Sequence, residues 1–399
     1  MLAHELKIRK ILATTSIPTI EIELSTNKGT VKSSVPVGTS IGKHEAIALP
    51  AADAIKKFTS ISRYFKTESF DTQEDIDFTL HAIDKSPNFK EIGGNLALGI
   101  SSAFFKAFAL HAGMDIFEYV HDQCKPKGQN ERKPKWNMPM PICNMVGGWH
   151  GQSDIQEFLL MPVQQKSFAH SATLLSEIYH KIKIELKKED KSFAYGRDIE
   201  SAWITALNYE HVLEILTKIA DDNALKLGID VAASGLWDGH RYIYKHDKLT
   251  RTEQLNFITE LARRFPIVYI EDPFEEDDFI THAVLAHRLS DRDVMVCGDD
   301  LYATNLQRLQ KGIEQKSTTA VIVKPNQVGT ITDTIKFVQK AKKHGLKTVM
   351  SHRSGETGDT LICHLAVGLG CDYVKFGIAG ERIIKINEMI RIEEKIMGS

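Results

Sequence analysis

No excess of either charge marks this sequence: 50 Lys and Arg stand against 52 Asp and Glu, a formal net charge of -2. A chain so balanced has no global attraction to nucleic acid or to an anionic membrane, and neither is expected as a partner. It has no apolar run near the ~20 residues needed to span a bilayer. The opening MLAHELKIRKILATTSIPTIEIEL interleaves charges and carries no signal-peptide core, so a cytoplasmic location is expected. The five cysteines (Cys124, Cys143, Cys297, Cys363, Cys371) are odd in number and form no CxxC pair. That argues against a disulfide framework or a thiolate zinc site and predicts reduced thiols. GxGxxG and the Walker A pattern are both missing, which removes the usual sequence support for nucleotide binding.

What remains is an ordinary globular composition, 42% hydrophobic and 26% charged, in a chain of 399 residues. That length accommodates two domains, one of them a large barrel. Near the start, PTIEIEL alternates, NKG supplies a turn and TVKSSVPV alternates again, the pattern of a β-meander. Helical periodicity follows, clearest in GGNLALGISSAFFKAFALHAG, with Gly113 as a C-cap. HDQCKPKGQNERKPKWNMPMP, polar and rich in Lys and Pro, reads as a linker. These features predict an N-terminal α+β domain over residues 1–125, a three-stranded meander plus helices, and a second domain over 136–399.

Beyond the linker, short β-branched runs alternate with helical stretches: LGIDVAAS, FPIVYIEDP, RDVMVCGDD, TTAVIVKPN, LKTVMSHRS and CDYVKFG. Their spacing is that of βαβ units. With MPICNMV and QEFLLMPV as further strands, the pattern predicts an eight-stranded α/β barrel; an open doubly wound sheet is the alternative.

Each run ends on a polar or ionisable residue: Asp230, Glu271, Asp299, Lys324, His352 and Lys375. The C-terminal rim of a barrel gathers all of these around one pocket. Asp230, Glu271 and Asp299 then suit one hard divalent cation such as Mg²⁺, although each carboxylate alone also suits a helix N-terminus. A lysine near a metal and another lysine is expected to have a lowered pKa and to serve as a base; near an anionic substrate it serves as a charge clamp. Lys324 and Lys375 can divide these roles. In SHRSGETGDT, Arg353 suits bidentate phosphate or carboxylate binding, with Ser354 beside it. Glu157, inside the apolar IQEFLLM, is costly to bury unless paired or protonated, which points to a functional role.

The motifs IEDPFEEDD, GDDLYATN, VIVKPNQVGT, SHRSGETGDT and RIEE, with SVPVGTSIGKHEA and GGWHGQSDIQEF, resemble the enolase family over essentially the full length. Its members dehydrate 2-phosphoglycerate to phosphoenolpyruvate in glycolysis. The resemblance implies an enolase-type barrel in which Lys324 removes the C2 proton and Lys375 neutralises the charge that develops. It implies two Mg²⁺ ions, one held by Asp230, Glu271 and Asp299, the other helped by Ser40 on a loop that Gly38 and Gly42 allow to close. Arg353 and Ser354 would bind phosphate, while His150, Gln156, Glu157 and His352 would line the leaving-group side and the substrate pocket. It also implies a homo-oligomer, a dimer or higher.

Four segments depart from the family pattern. ATTSIPT stands where DSRGNPT is usual, which bears on subunit contacts or domain docking. The loop before Glu157 is shorter. AYGRDIESAW replaces the segment containing GDEGG, whose glutamate is the usual general acid. Alignment on Gly196 brings Asp198 to that position, with Glu200 as the alternative. FGIAGERIIKINE follows Lys375 in place of a proline-containing loop and an Arg-Ser pair, while Glu381, Arg382 and Asn387 still fit the family pattern. Two further functions stay open: an enolase paralogue acting on a related phosphorylated hydroxy acid, and a non-catalytic enolase-like protein.

Overall fold

A computed structural model describes residues 1, 3–66, 69–124, 136–148 and 154–398. The meander is present as β1 (Glu5–Leu12), β2 (Pro18–Thr26) and β3 (Gly29–Ser34), paired antiparallel in that order. Ile20, Ile22 and Leu24 alternate along β2 and are fully buried, so one face of the sheet is committed to the core. The helix Gly94–Ala112 covers that face and ends, as the sequence predicts, at Gly113 with φ 66°. It is nearly all apolar because most of its circumference is buried. Among the described residues no single helix is long and apolar enough to cross a membrane. Most of the expected linker falls on residues 125–135, which lie outside the described residues.

The remaining strands form a closed barrel. They are β4 (Met140–Gly147), β5 (Glu157–Pro162), β6 (Leu225–Asp230), β9 (Ile267–Glu271), β10 (Met295–Gly298), β11 (Ala320–Val323), β12 (Lys347–Ser351) and β13 (Tyr373–Lys375). A separate hairpin, β7 (Tyr242–Ile243) and β8 (Lys248–Leu249), follows β6. Around the barrel the order is β10-β11-β12-β13-β4-β5-β6-β9. Ile142, Leu159, Met161, Tyr269, Cys297, Ala320, Ile322 and Val349 fill its interior, each no more than 2% exposed, so it is a packed core and not a pore.

All eight strands predicted from the sequence are present, with one difference in direction. β5 runs antiparallel to both β4 and β6. A parallel crossover needs about a dozen residues or more, and only residues 148–156 separate β4 from β5. The short connection therefore turns the chain back.

The N-terminal helices dock on the barrel through polar contacts. Asp77 accepts the Thr332 N–H at 2.9 Å, and Ser101 Oγ accepts the Ile331 N–H at 2.9 Å, so both cap the helix Ile331–Lys343 that follows the VIVKPNQVGT turn. Asp77 is itself held by Gln73. The unusual ATTSIPT segment docks as well: Thr14 N–H donates to the Glu356 carbonyl at 2.8 Å, and Thr14 Oγ1 accepts the Glu356 N–H at 3.0 Å. Removing the buried acceptor in Asp77→Ala is expected to destabilise the protein by about 1–3 kcal/mol, read as a lower urea midpoint with the barrel-rim chemistry retained.

Candidate active site

Barrel closure brings the strand ends together at one rim. Asp230, Glu271 and Lys375 are the last residues of β6, β9 and β13, while Asp299, Lys324 and His352 directly follow β10, β11 and β12. Glu157 reaches the same rim by the opposite route, because it is the first residue of the reversed β5 and sits in register with Asp230, which is in register with Glu271. A polar cavity at this rim is lined by Ser40, Gln156, Glu157, Glu200, Asp230, Asp299, Lys324, His352, Arg353, Ser354 and Lys375. Glu271 lies just beneath it, fully buried. His150 lies outside the described residues.

The charges pair in two groups. Lys375 Nζ meets Glu157 Oε2 at 2.7 Å, Asp230 Oδ2 at 2.9 Å and Glu271 Oε1 at 2.9 Å. Lys324 Nζ pairs with Asp299 Oδ2. The other oxygen of each predicted metal ligand is held by a neutral donor. Asp230 Oδ1 accepts the Ala232 N–H at 3.0 Å, Glu271 Oε2 accepts the Tyr269 hydroxyl at 2.6 Å, and Asp299 Oδ1 accepts the Gln327 amide at 2.9 Å. Three carboxylates thus stand oriented, each presenting one oxygen toward a cation.

Burial and the nearby Asp230 charge push Glu271 up to about 8, even against Lys375. The site carries more negative charge than its lysines offset, and an oxygen-liganded divalent cation fits that donor set. A second trio, Asp272, Asp299 and Asp300, brings ligand atoms within 4.8 Å of one another. Asp272, however, accepts the Asp299 and Asp300 N–H groups at 2.9 and 2.8 Å, so both its oxygens serve the turn after β10.

Lys324 differs from the sequence expectation. Burial lowers its pKa, but the nearby carboxylates, Asp299 foremost and Glu271 with it, together hold it above the ordinary lysine range. Lys375 also stands well above that range: burial lowers it, while Asp230, Glu157 and Glu271 more than compensate. A basic Lys324 requires a cation to take the Asp299 oxygen from it.

The N-terminal loop closes over the rim. Arg353 Nη1 meets Glu45 Oε2 at 2.6 Å, and Arg353 Nη2 donates to the Ser40 carbonyl at 2.8 Å. Thr39 N–H donates to Ser354 Oγ at 3.0 Å. Gly38 is required by this closeness: a Cβ there would lie 1.8 Å from Arg353 Nη2. At the outer edge, Lys43 Nζ and His44 Nε2 both meet the Asp277 carboxylate, at 3.0 and 2.9 Å.

The model of the enolase N-terminal domain matches residues 3–120, and that of the enolase C-terminal TIM barrel domain matches residues 135–399. The chain is 38% identical to the enolase of Picrophilus torridus, over 98% of both chains. It is 37% identical to that of Archaeoglobus fulgidus, over 99% of this chain and 98% of the relative. Against the enolase of Methanocorpusculum labreanum the identity is 36%, over 98% of both chains. The chain belongs to the enolase family. It is therefore a carbon–oxygen lyase by family, on an enolase barrel with an enolase N-terminal domain.

Within this enolase, the segment that replaces GDEGG turns Glu200 into the cavity. Asp198 is used differently: its Oδ1 accepts the Glu200 N–H at 2.8 Å and the Ala202 N–H at 2.9 Å, closing a turn. Burial and the Glu200 charge raise Asp198 to about 6. The cavity-facing side chain is thus two residues beyond the position found by counting from Gly196. Ser201 adopts a left-handed φ of 68°, and the turn absorbs the change of register.

Glu200 and Glu157 both line the cavity, and each shifts the other's pKa. Burial lifts Glu157 well above the carboxylate range, with the Glu200 charge adding to it. Glu200 is held well below that range: burial acts upward, but His352, Arg382 and Glu157 together outweigh it. His352 Nε2 lies 3.4 Å from Glu200 Oε2. The sequence reading passed over Glu45, Asp272 and Asp300, which lie inside or beside motifs it quoted, and whose only signal is adjacency to the named residues.

The raised Glu271 pKa sets a pH dependence. Its unfolded value is about 4.3, so the protonated form contributes stability that is full below that value and is lost as pH rises to 8. Mg²⁺ must displace that proton at lower pH. Added Mg²⁺ is therefore expected to raise the melting temperature more at about pH 8.5 than at about pH 6. In Glu271→Gln this difference should shrink, as measured by thermal melts with and without the metal.

Proposed function

We propose that this enolase dehydrates 2-phospho-D-glycerate to phosphoenolpyruvate, as in glycolysis and gluconeogenesis, with Mg²⁺. The observation that carries the reading is the strand order: β11, which leads to Lys324, and β5, which begins at Glu157, are four strands apart in either direction around the closed barrel. A base and an acid therefore face each other across the pocket, with Glu200 beside the acid.

Asp230, Glu271 and Asp299 would hold one Mg²⁺, with Ser40 serving a second, and when bound these supply positive charge against the substrate carboxylate and phosphate. With Asp299 engaged as a ligand, Lys324 loses the contact that keeps it protonated and takes the C2 proton. Lys375 offsets the negative charge that develops on the carboxylate. Arg353 and Ser354 bind phosphate, and Glu45 holds the guanidinium in place for it. A proton from the Glu157 and Glu200 pair passes to the departing C3 hydroxide, making water; His352 faces Glu200, and Gln156 helps line that side. His150, outside the described residues, is assigned to the leaving-group side by the resemblance alone. Asp198 acts on the acid through the turn it caps, and Glu200 takes the role for which the two were alternatives.

Two rates test this: ultraviolet absorbance of the enol product, and exchange of the C2 proton with solvent deuterium. Lys324→Ala is expected to abolish both. Glu200→Gln should lower elimination by about 10²–10⁴-fold while exchange continues. Asp198→Asn should change either rate far less. Equal loss of elimination in Asp198→Asn and Glu200→Gln would remove Glu200 from the acid role. Absence of both signals in the unaltered protein would favour the related-substrate or non-catalytic alternatives.

A further inference from the structure

Three of the four segments that depart from the family pattern meet at one side chain. Arg382, in FGIAGERIIKINE, is 1% exposed although charged. Its Nη2 donates to the Ser354 carbonyl at 2.6 Å and to the Ile199 carbonyl at 3.2 Å, and its Nη1 reaches Thr14 Oγ1 at 3.4 Å. Ile199 belongs to AYGRDIESAW and immediately precedes Glu200. Thr14 belongs to ATTSIPT. Ser354 lies on the same rim loop as His352, whose Nε2 lies 3.4 Å from Glu200 Oε2.

The residue after Glu200 is held by the same C-terminal segment. Gly380 has φ 59°, and a Cβ there would lie 2.2 Å from Ser201 Oγ and 3.1 Å from Ser201 Cβ. Rotating the hydroxyl away would relieve only the first of these. Ser201 is also fixed from behind, where the Tyr179 hydroxyl donates to its carbonyl at 2.6 Å. Both sequence neighbours of Glu200 are therefore gripped by residues 380–382, one by a guanidinium and one by close contact. Glu200 itself is 8% exposed and points into the cavity between them.

We propose that Gly380 and Arg382 are positioning residues for Glu200, so that the altered acid loop and the altered segment after Lys375 work as one interlocked unit. The inference rests on the reading of Glu200 as part of the acid pair. Lys324 follows β11, away from Gly380, so a fault at Gly380 reaches proton donation and leaves proton abstraction alone; Arg382 also holds the Ser354 carbonyl beside the phosphate site, so its variant is read at saturating substrate. A ~1 Å misplacement of a catalytic group costs about 10²-fold.

The test uses the full chain with Mg²⁺ and 2-phosphoglycerate, and reads elimination and C2 exchange side by side. Gly380→Ala is expected to lower elimination by about 10–100-fold while exchange stays within about twofold. Adding Ser201→Gly, which removes the obstructing atoms and suits a left-handed φ, is expected to restore elimination in the double variant. Arg382→Lys keeps the charge but loses the fork that holds two carbonyls, and should give the same split between the rates. It serves as the second probe if Gly380→Ala does not fold, with thermal melts reporting folding for each variant. Parallel loss of both rates, unchanged elimination in both single variants, or failure of Ser201→Gly to rescue a folded Gly380→Ala would overturn the proposal. Glu200→Gln, run alongside, separates the two ideas. If it spares elimination, the acid assignment fails; if it blocks elimination while the positioning variants show no split, only the interlock fails.

Discussion

Buried carboxylates need buried cations, and Lys375 is the cation on which this pocket turns. Its ammonium touches side chains from β5, β6 and β9 from its own place on β13. Each of those carboxylates is 5% exposed or less, too dry to hold a charge alone. Lys375 lies two, three and four strands from them around the barrel, and closure curves the rim so that one ammonium reaches all three. Burial lifts Glu157 and Glu271 and Lys375 pulls both back, so how far one lysine's charge extends sets the balance in this pocket.

The meander, the long apolar helix and the eight barrel strands were legible in the sequence because each rests on local periodicity and its stop signals. The rim was legible for a related reason: strand after strand ended on an ionisable residue, and one topology makes such residues neighbours. Partners were not legible. Nothing local says that Glu45 will meet Arg353, or that Asp272 will spend both oxygens on the next turn. The direction of β5 was hidden too, since an apolar run reads alike either way. Counting from Gly196 led to Asp198 because counting assumes an unchanged backbone path. Ser201 in a left-handed turn breaks that assumption.

The departures from the family pattern looked independent along the chain and are not independent in space. Thr14 still ties the first strands to the Glu356 loop, with a hydroxyl and a backbone N–H in place of the usual side chains. The same hydroxyl meets Arg382, which meets the acid loop. Differences at three distant places thus describe one local rearrangement beside the leaving-group side. The side proposed for metal and base, built on β6, β9, β10 and β11, carries the motifs on which the family resemblance rests.

The reversed strand gives the rim two kinds of position with different evolutionary latitude. Six strands deliver their chemistry at or just past their last residue, where a following loop can lengthen or be reworded. Glu157 instead opens its strand, paired on one side with Gly147 and on the other with Asp230. An insertion there would shift the register and turn every side chain of β5 to its other face. Glu200 sits on a loop, and a differently spelled loop can supply it again. Divergence in this lineage collected where the backbone tolerates rewriting, and the half of the carboxyl pair woven into the barrel stayed as it was.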